Sequence, residues 1–110
     1  MTTDSSSSIN VPSNLGDGIY DAIKRKDAES TYNEIKKFKE KMRDPEIGIY
    51  YVSWILIPAN LTTLKELLVS ELNISPRSLA IKRTIVSRTQ RALLMVQAME
   101  IALRRAYNFS

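Results

Sequence analysis

Between Ser75 and Ser110 the chain carries seven basic side chains and one carboxylate, and five of the cations, Arg77, Lys82, Arg83, Arg88 and Arg91, precede that acid, Glu100. Cations at this density make and break no bonds by themselves. What they can do is neutralise a polyanion, of which a nucleic-acid backbone is the obvious example. Met1 to Ile74 holds nine basic and eleven acidic side chains, so the net charge of +4 combines a C-terminal third at +6 with a remainder at −2. The same cations could instead form a solvated face that offsets acidic patches elsewhere, and the sequence leaves both uses open.

Covalent chemistry has little to work with. The chain contains no cysteine and no histidine, which removes thiolate and imidazole metal ligands, the corresponding nucleophiles and the commonest general base. Only carboxylates, Lys and Tyr remain for acid–base work, so the expectation is a protein that is not an enzyme and that uses no metal, no cofactor and no small-molecule substrate. No basic, apolar N-terminal segment ahead of a small-residue cleavage site is present. The longest apolar-rich run, Ile47 to Ile57, has 11 residues, too few to span a bilayer. A cytoplasmic protein without a membrane partner is expected.

The elements that must position the cations read as all-α. Residues 1–16 are polar, with four consecutive serines, Pro12 and Gly16, and bury too little apolar surface to offset ordering entropy, so a disordered tail is expected there. Residues 17–110 then form a single helical domain. A first helix starts at Asp17 with apolar positions Ile19, Ile23, Tyr32, Ile35, Phe38 and Met42 near one face, interrupted between Asp27 and Thr31. Asp44-Pro45-Glu46 ends it and starts a second. The segment 47–57 is rich in β-branched and aromatic residues, yet a lone strand would have no ladder partner, so a buried helix closed by Pro58 is expected, with Tyr50, Tyr51 and Trp54 in the core rather than forming a stacking platform for bases. A third helix begins near Asn60 or Thr63, with Thr63-x-x-Glu66 as a capping box and Leu61, Leu64, Leu67, Leu68 and Leu72 along it. The fourth starts at Pro76, capped by Ser75, and runs to about Tyr107, with Ile81, Ile85, Ala92, Val96, Met99 and Leu103 close to one line. At 1.5 Å per residue it would be about 48 Å long, more than a compact domain of this size needs. The fold expected is a small four-helix bundle with a long C-terminal helix whose Val96, Met99 and Leu103 serve as an oligomer interface.

The run Leu72-Asn73-Ile74-Ser75-Pro76-Arg77-Ser78-Leu79-Ala80-Ile81-Lys82-Arg83 resembles the turn and recognition helix of LuxR-type regulators, the helix-turn-helix output domains of many bacterial response regulators, in which Leu-Gly-Ile-Ser-Pro-Arg-Thr-Val is common. The resemblance covers about 20 residues and implies that Arg77, Ser78, Lys82 and Arg83 face a DNA groove or its phosphates, while Leu68, Ile74 and Leu79 hold two helices together. It departs from the family at Asn73, where the turn usually has Gly, and at Val69, where a small residue is usual.

Two functions therefore stand side by side. One is a nucleic-acid-binding regulator of transcription, with DNA a better target than RNA, using Arg77, Ser78, Lys82, Arg83, Arg88 and Arg91 and dimerising through its last helix. The other is a helical-bundle assembly protein, such as an adaptor or a virion or filament subunit, with that helix as its self-association surface. They separate on whether Leu79, Ile81 and Ile85 are all buried within one chain.

Overall fold

A computed structural model describes residues 10–109. Among them every regular element is helical, as expected: α1 (Asp17–Lys24), α2 (Ala28–Met42), α3 (Gly48–Leu56), α4 (Pro58–Leu72), a one-turn 3-10 helix (Pro76–Leu79) and α5 (Arg88–Tyr107). Two of the four helices expected from the sequence are divided, and both divisions have local causes. The serine run of the expected tail falls at residues 1–9, outside the described residues. Val11 and Leu15 pack on the core and Gly16 is buried, so the packed chain begins earlier than residue 17.

The first division lies at Lys26, whose φ of 57° reverses the chain. Asp27 then caps α2: its carboxylate accepts from the Ser30 N–H at 3.0 Å and the Ser30 hydroxyl at 2.8 Å. These hydrogen bonds, the backbone one foremost, hold the Asp27 carboxyl below its ordinary value. A depressed folded value means that the ionised cap contributes stability above the unfolded value, near pH 4, and loses it as pH falls through the folded value. Asp27→Asn should therefore be less stable than wild type at neutral pH. Denaturant titrations at decreasing pH should bring the two curves together below about pH 4, and a gap that persists in acid would remove the charge from this cap.

Along α2, Thr31, Ile35, Phe38 and Met42 are buried at helical spacing, and the Thr31 hydroxyl is satisfied by donating to the Asp27 carbonyl at 2.8 Å. The Asp44 carboxylate accepts from Glu46 and Ile47 N–H groups at 2.8 and 3.1 Å, which turns the chain toward α3. Gly48 is where α3 meets the end of α2: a Cβ at this position would lie 2.4 Å from the Met42 carbonyl oxygen, so only glycine permits the approach.

Residues 47–57 are helical over Gly48–Leu56, with Val52, Trp54 and Ile55 buried; Tyr50 and Tyr51 are half-buried. Pro58 forces Ile57 into extended backbone with ψ of 120° and itself opens α4, as its ring geometry favours. The third helix thus starts at Pro58 rather than at Asn60 or Thr63. Asn60 instead turns back, its amide donating to the Trp54 carbonyl at 2.9 Å. No single described helix is long and apolar enough to cross a membrane; α3 and α4 together have the length and composition, but they are bent by 73° at the Ile57-Pro58 joint.

The bundle is organised around α2, which packs on α1, α3 and α5, while α4 closes against α1 and α3. The core is continuous through Ile23, Ile35, Trp54, Leu64, Leu68, Val96 and Leu103, all at 2 % exposure or less. One ion pair ties the last helix to the centre: Lys39 of α2 meets Glu100 of α5 with Nζ and Oε1 2.5 Å apart.

Candidate nucleic-acid interface

The candidate interface begins where α4 ends. Asn73 stands in the left-handed region, with φ of 57° and ψ of 33°, and its N–H closes on the Leu68 carbonyl. Asn fills the place of the usual turn glycine because it tolerates that region better than most residues. The next N–H, from Ile74, also reaches the Leu68 carbonyl at 3.1 Å. Leu68, Ile74 and Leu79 are all buried, and the Tyr107 hydroxyl donates to the Leu72 carbonyl at 2.6 Å, so both ends of the turn are held by the bundle.

Beyond Leu79 the expected helix is absent. Pro76 opens only a single 3-10 turn, in which the Ser78 N–H and hydroxyl both return to the Ser75 carbonyl, at 3.0 and 2.7 Å. Ser75 makes no side-chain cap. Residues 80–87 then form a strap with no regular structure, extended at Ala80 (φ −78°, ψ 138°) and at Ser87 (φ −67°, ψ 163°). The cause is local: Thr84-Ile85-Val86 is a β-branched run, stiff at χ1 and poor for helix, and Ser87 supplies a new N-cap, its hydroxyl accepting from the Gln90 N–H at 3.1 Å. Helix α5 therefore starts at Arg88, not at Pro76, and the 48 Å helix expected from the sequence does not form.

This correction redistributes the site residues. Arg77 and Ser78 sit exposed on the 3-10 turn, Lys82 and Arg83 exposed on the strap, and Arg88 and Arg91 exposed on the first turn of α5. Lys82, Arg83 and Arg91 come together as the polar lining of one shallow groove of about 220 Å³ between strap and helix, whose remaining walls are Ile81, Thr84, Val86, Leu94 and Met95. Arg77, Ser78 and Arg88 do not line it. Leu94 and Met95 were missed in the sequence, although they stand three and four residues after Arg91 and so share its helix face.

Val96, Met99 and Leu103 are corrected too. All three are buried within the single chain at 2 % exposure or less, because breaking the long helix at Ser87 lets α5 lie along α2 and spend its apolar stripe there. They present nothing to a second subunit. Leu79 is buried and Ile81 half-buried, but Ile85 is fully exposed.

The electrostatics follow from pairing. Lys26, Lys37, Lys39 and Arg43 each meet a carboxylate within 4 Å. Among the described residues none of Arg77, Lys82, Arg83, Arg88 and Arg91 does so, and the one acid of the C-terminal third, Glu100, is taken by Lys39. The described residues contain no cluster of carboxylates that could hold a metal ion. No protein-family model matches the chain, and comparisons with curated proteins and with solved structures find no match either.

Proposed function

We propose that this chain is a non-enzymatic nucleic-acid-binding protein that holds the phosphate backbone with its basic strap and the start of α5. The observation that carries this reading is the set of five exposed cations from Arg77 to Arg91 with no carboxylate partner among the described residues, on a stretch whose single acid is neutralised elsewhere. Unpaired cations on an irregular segment can follow a backbone without fitting a groove, so binding rests on counterion release and carries little sequence information. The N-terminus of α5, a 20-residue helix, opens beside them and adds its partial positive charge. The four-residue 3-10 turn at Pro76 is too short to act as a recognition helix, which weakens the LuxR-type comparison and with it any preference for DNA over RNA.

The test is charge removal read through salt. Lys82→Ala with Arg83→Ala should weaken binding to both duplex DNA and single-stranded RNA and lower the slope of log affinity against log salt by about 1 to 2. Lys36 and Lys37 are the control, since Lys37 is paired with Glu34 at 3.0 Å and the Lys36 ammonium lies 5.3 Å from the centre of the Tyr32 ring. Alanine at both should change little. Equal losses from the two pairs would place the contact surface somewhere other than the strap.

A further inference from the structure

The groove between the strap and α5 holds more than charge. Its charged lining residues are Lys82, Arg83 and Arg91, all of one sign, and among the described residues none of them meets a carboxylate. Its other walls are mostly apolar, and Ile81 on the strap and Leu94 and Met95 on α5 are half-buried there. Phosphates account for the cations and leave these walls unexplained. A ligand that satisfies both must carry negative charge beside a compact group that gives up its water readily. A nucleic-acid strand with an unpaired base has both. A duplex does not, because its base faces are stacked on one another and only backbone and base edges reach its surface.

We propose that this groove seats an unpaired base of a single-stranded nucleic acid, with the adjoining phosphates on Lys82, Arg83 and Arg91. The inference rests on the nucleic-acid reading above and names the form of nucleic acid: single strands are held more tightly than duplexes. At about 220 Å³ the groove is smaller than the range of about 300–1,000 Å³ that takes a whole small molecule, so it suits one group of a larger ligand. None of its lining residues is aromatic. The base packs instead on Leu94 and Met95 and against the arginine guanidinium planes, surfaces on which bases are held elsewhere.

The edge of the base also finds partners. Among the described residues no N–H from Ile81 to Ser87 donates to another backbone group, and no carbonyl from Ile81 to Val86 accepts from one. The Thr84 hydroxyl, at the groove, forms no hydrogen bond within the described residues either. Donors and acceptors are therefore both free along the strap, which accommodates any base and selects none. A bilayer fits less well: a flat anionic surface meets what protrudes, the fully exposed Ile85 first, and leaves the half-buried walls uncovered.

The test compares wild-type binding to a short oligothymidylate and to an abasic strand of equal length, which has the same phosphates and no bases. The oligothymidylate should bind about tenfold to a hundredfold more tightly, while the two strands give the same slope of log affinity against log salt. Leu94→Ala with Met95→Ala should bring the oligothymidylate down toward the abasic strand, leave the abasic affinity as it was, and keep wild-type circular dichroism. A folded variant that prefers oligothymidylate as strongly as wild type does would overturn the groove as the seat of the base. Equal wild-type affinities for the two strands would overturn the proposal while the phosphate reading stands, provided that Lys82→Ala with Arg83→Ala weakens both. Binding to neither strand would end both readings. Vesicles of anionic phospholipid are the third arm: binding to them that is lost in Ile85→Ser, beside equal affinities for the two strands, would make the strap a bilayer contact instead.

Discussion

Trp54→Ala should cost about 3–5 kcal/mol of stability, a large share of the 5–15 kcal/mol that holds a small domain together. The indole is 2 % exposed and occupies the point where three helices and the N-terminal turn converge. Tyr20 of α1 meets its ring edge-on at 5.9 Å and Phe38 of α2 lies 5.6 Å away. On a third side the backbone of Gly16 comes so close that a Cβ there would fall 2.1 Å from the ring carbon Cη2. These contacts come from segments far apart in the chain, so no single rearrangement fills the space that a missing indole leaves, and the cavity penalty adds to the lost transfer energy. Denaturant unfolding of the variant measures the loss. In wild type, emission should be blue-shifted in the native state and move to longer wavelength on unfolding. Native emission like that of tryptophan in water, or a Trp54→Ala variant as stable as wild type, would mean that α3 is not the centre of the core.

That α3 is a buried helix was legible from its neighbours rather than from its own residues. Its β-branched and aromatic composition favours strand, and what decided the matter was the lack of any second strand to complete a ladder. Helix exposure on α2 was legible directly, since the alternation of Glu34 with Lys37 forecasts the 3.0 Å pair that forms. The division at Ser87 was the harder of the two to see because it interrupts an apolar stripe that stays in phase on both sides of the break. Ile81 and Ile85 align with Ala92 and Val96, so periodicity alone reads straight through, whereas Ile19 and Ile23 are already out of phase with Ile35 and Phe38 across Lys26. The signals lay in the interruptions themselves: Asp27 three residues before Ser30, and Thr84-Ile85-Val86 followed by a serine. Each supplies a capping side chain, Asp27 and Ser87, the second next to poor helix formers, and both outweigh a weak periodicity. The Ser-Pro-Arg start at Ser75 was a stronger-looking signal than the one at Ser87, yet a cap can only begin a helix; the β-branched run that begins nine residues later, at Thr84, determines that it does not continue.

The partner of Glu100 could not be read from the sequence at all. Glu100 and Lys39 are 61 residues apart, and nothing in either neighbourhood forecasts their meeting. Glu100 is buried against α2, and the pair with Lys39 occupies the only acidic side chain of a stretch that holds seven cations. Without it, Arg104 and Arg105 at the end of α5, which complement the negative end of the helix, would share the stretch with a free acid.

The pair also predicts an asymmetry. The two side chains keep different amounts of solvent, 17 % for Lys39 and 9 % for Glu100. Replacing Lys39 by Met keeps the apolar stem and deletes only the ammonium, leaving a carboxylate with little water and no counter-charge. Breaking a buried pair in this way should cost about 3 kcal/mol. Glu100→Gln should cost distinctly less, because the amide still offers an oxygen to Lys39, whose long stem also lets the ammonium bend toward solvent. Combining Lys39→Met with Glu100→Leu removes both charges and fills the same volume with apolar atoms, so the double variant should recover to within about 1 kcal/mol of wild type. Denaturant curves for the four proteins measure the coupling. Equal costs for Lys39→Met and Glu100→Gln, or a double variant no better than Lys39→Met alone, would mean that the contact is a surface ion pair of the ordinary weak kind and that α5 is held on α2 by its apolar stripe alone.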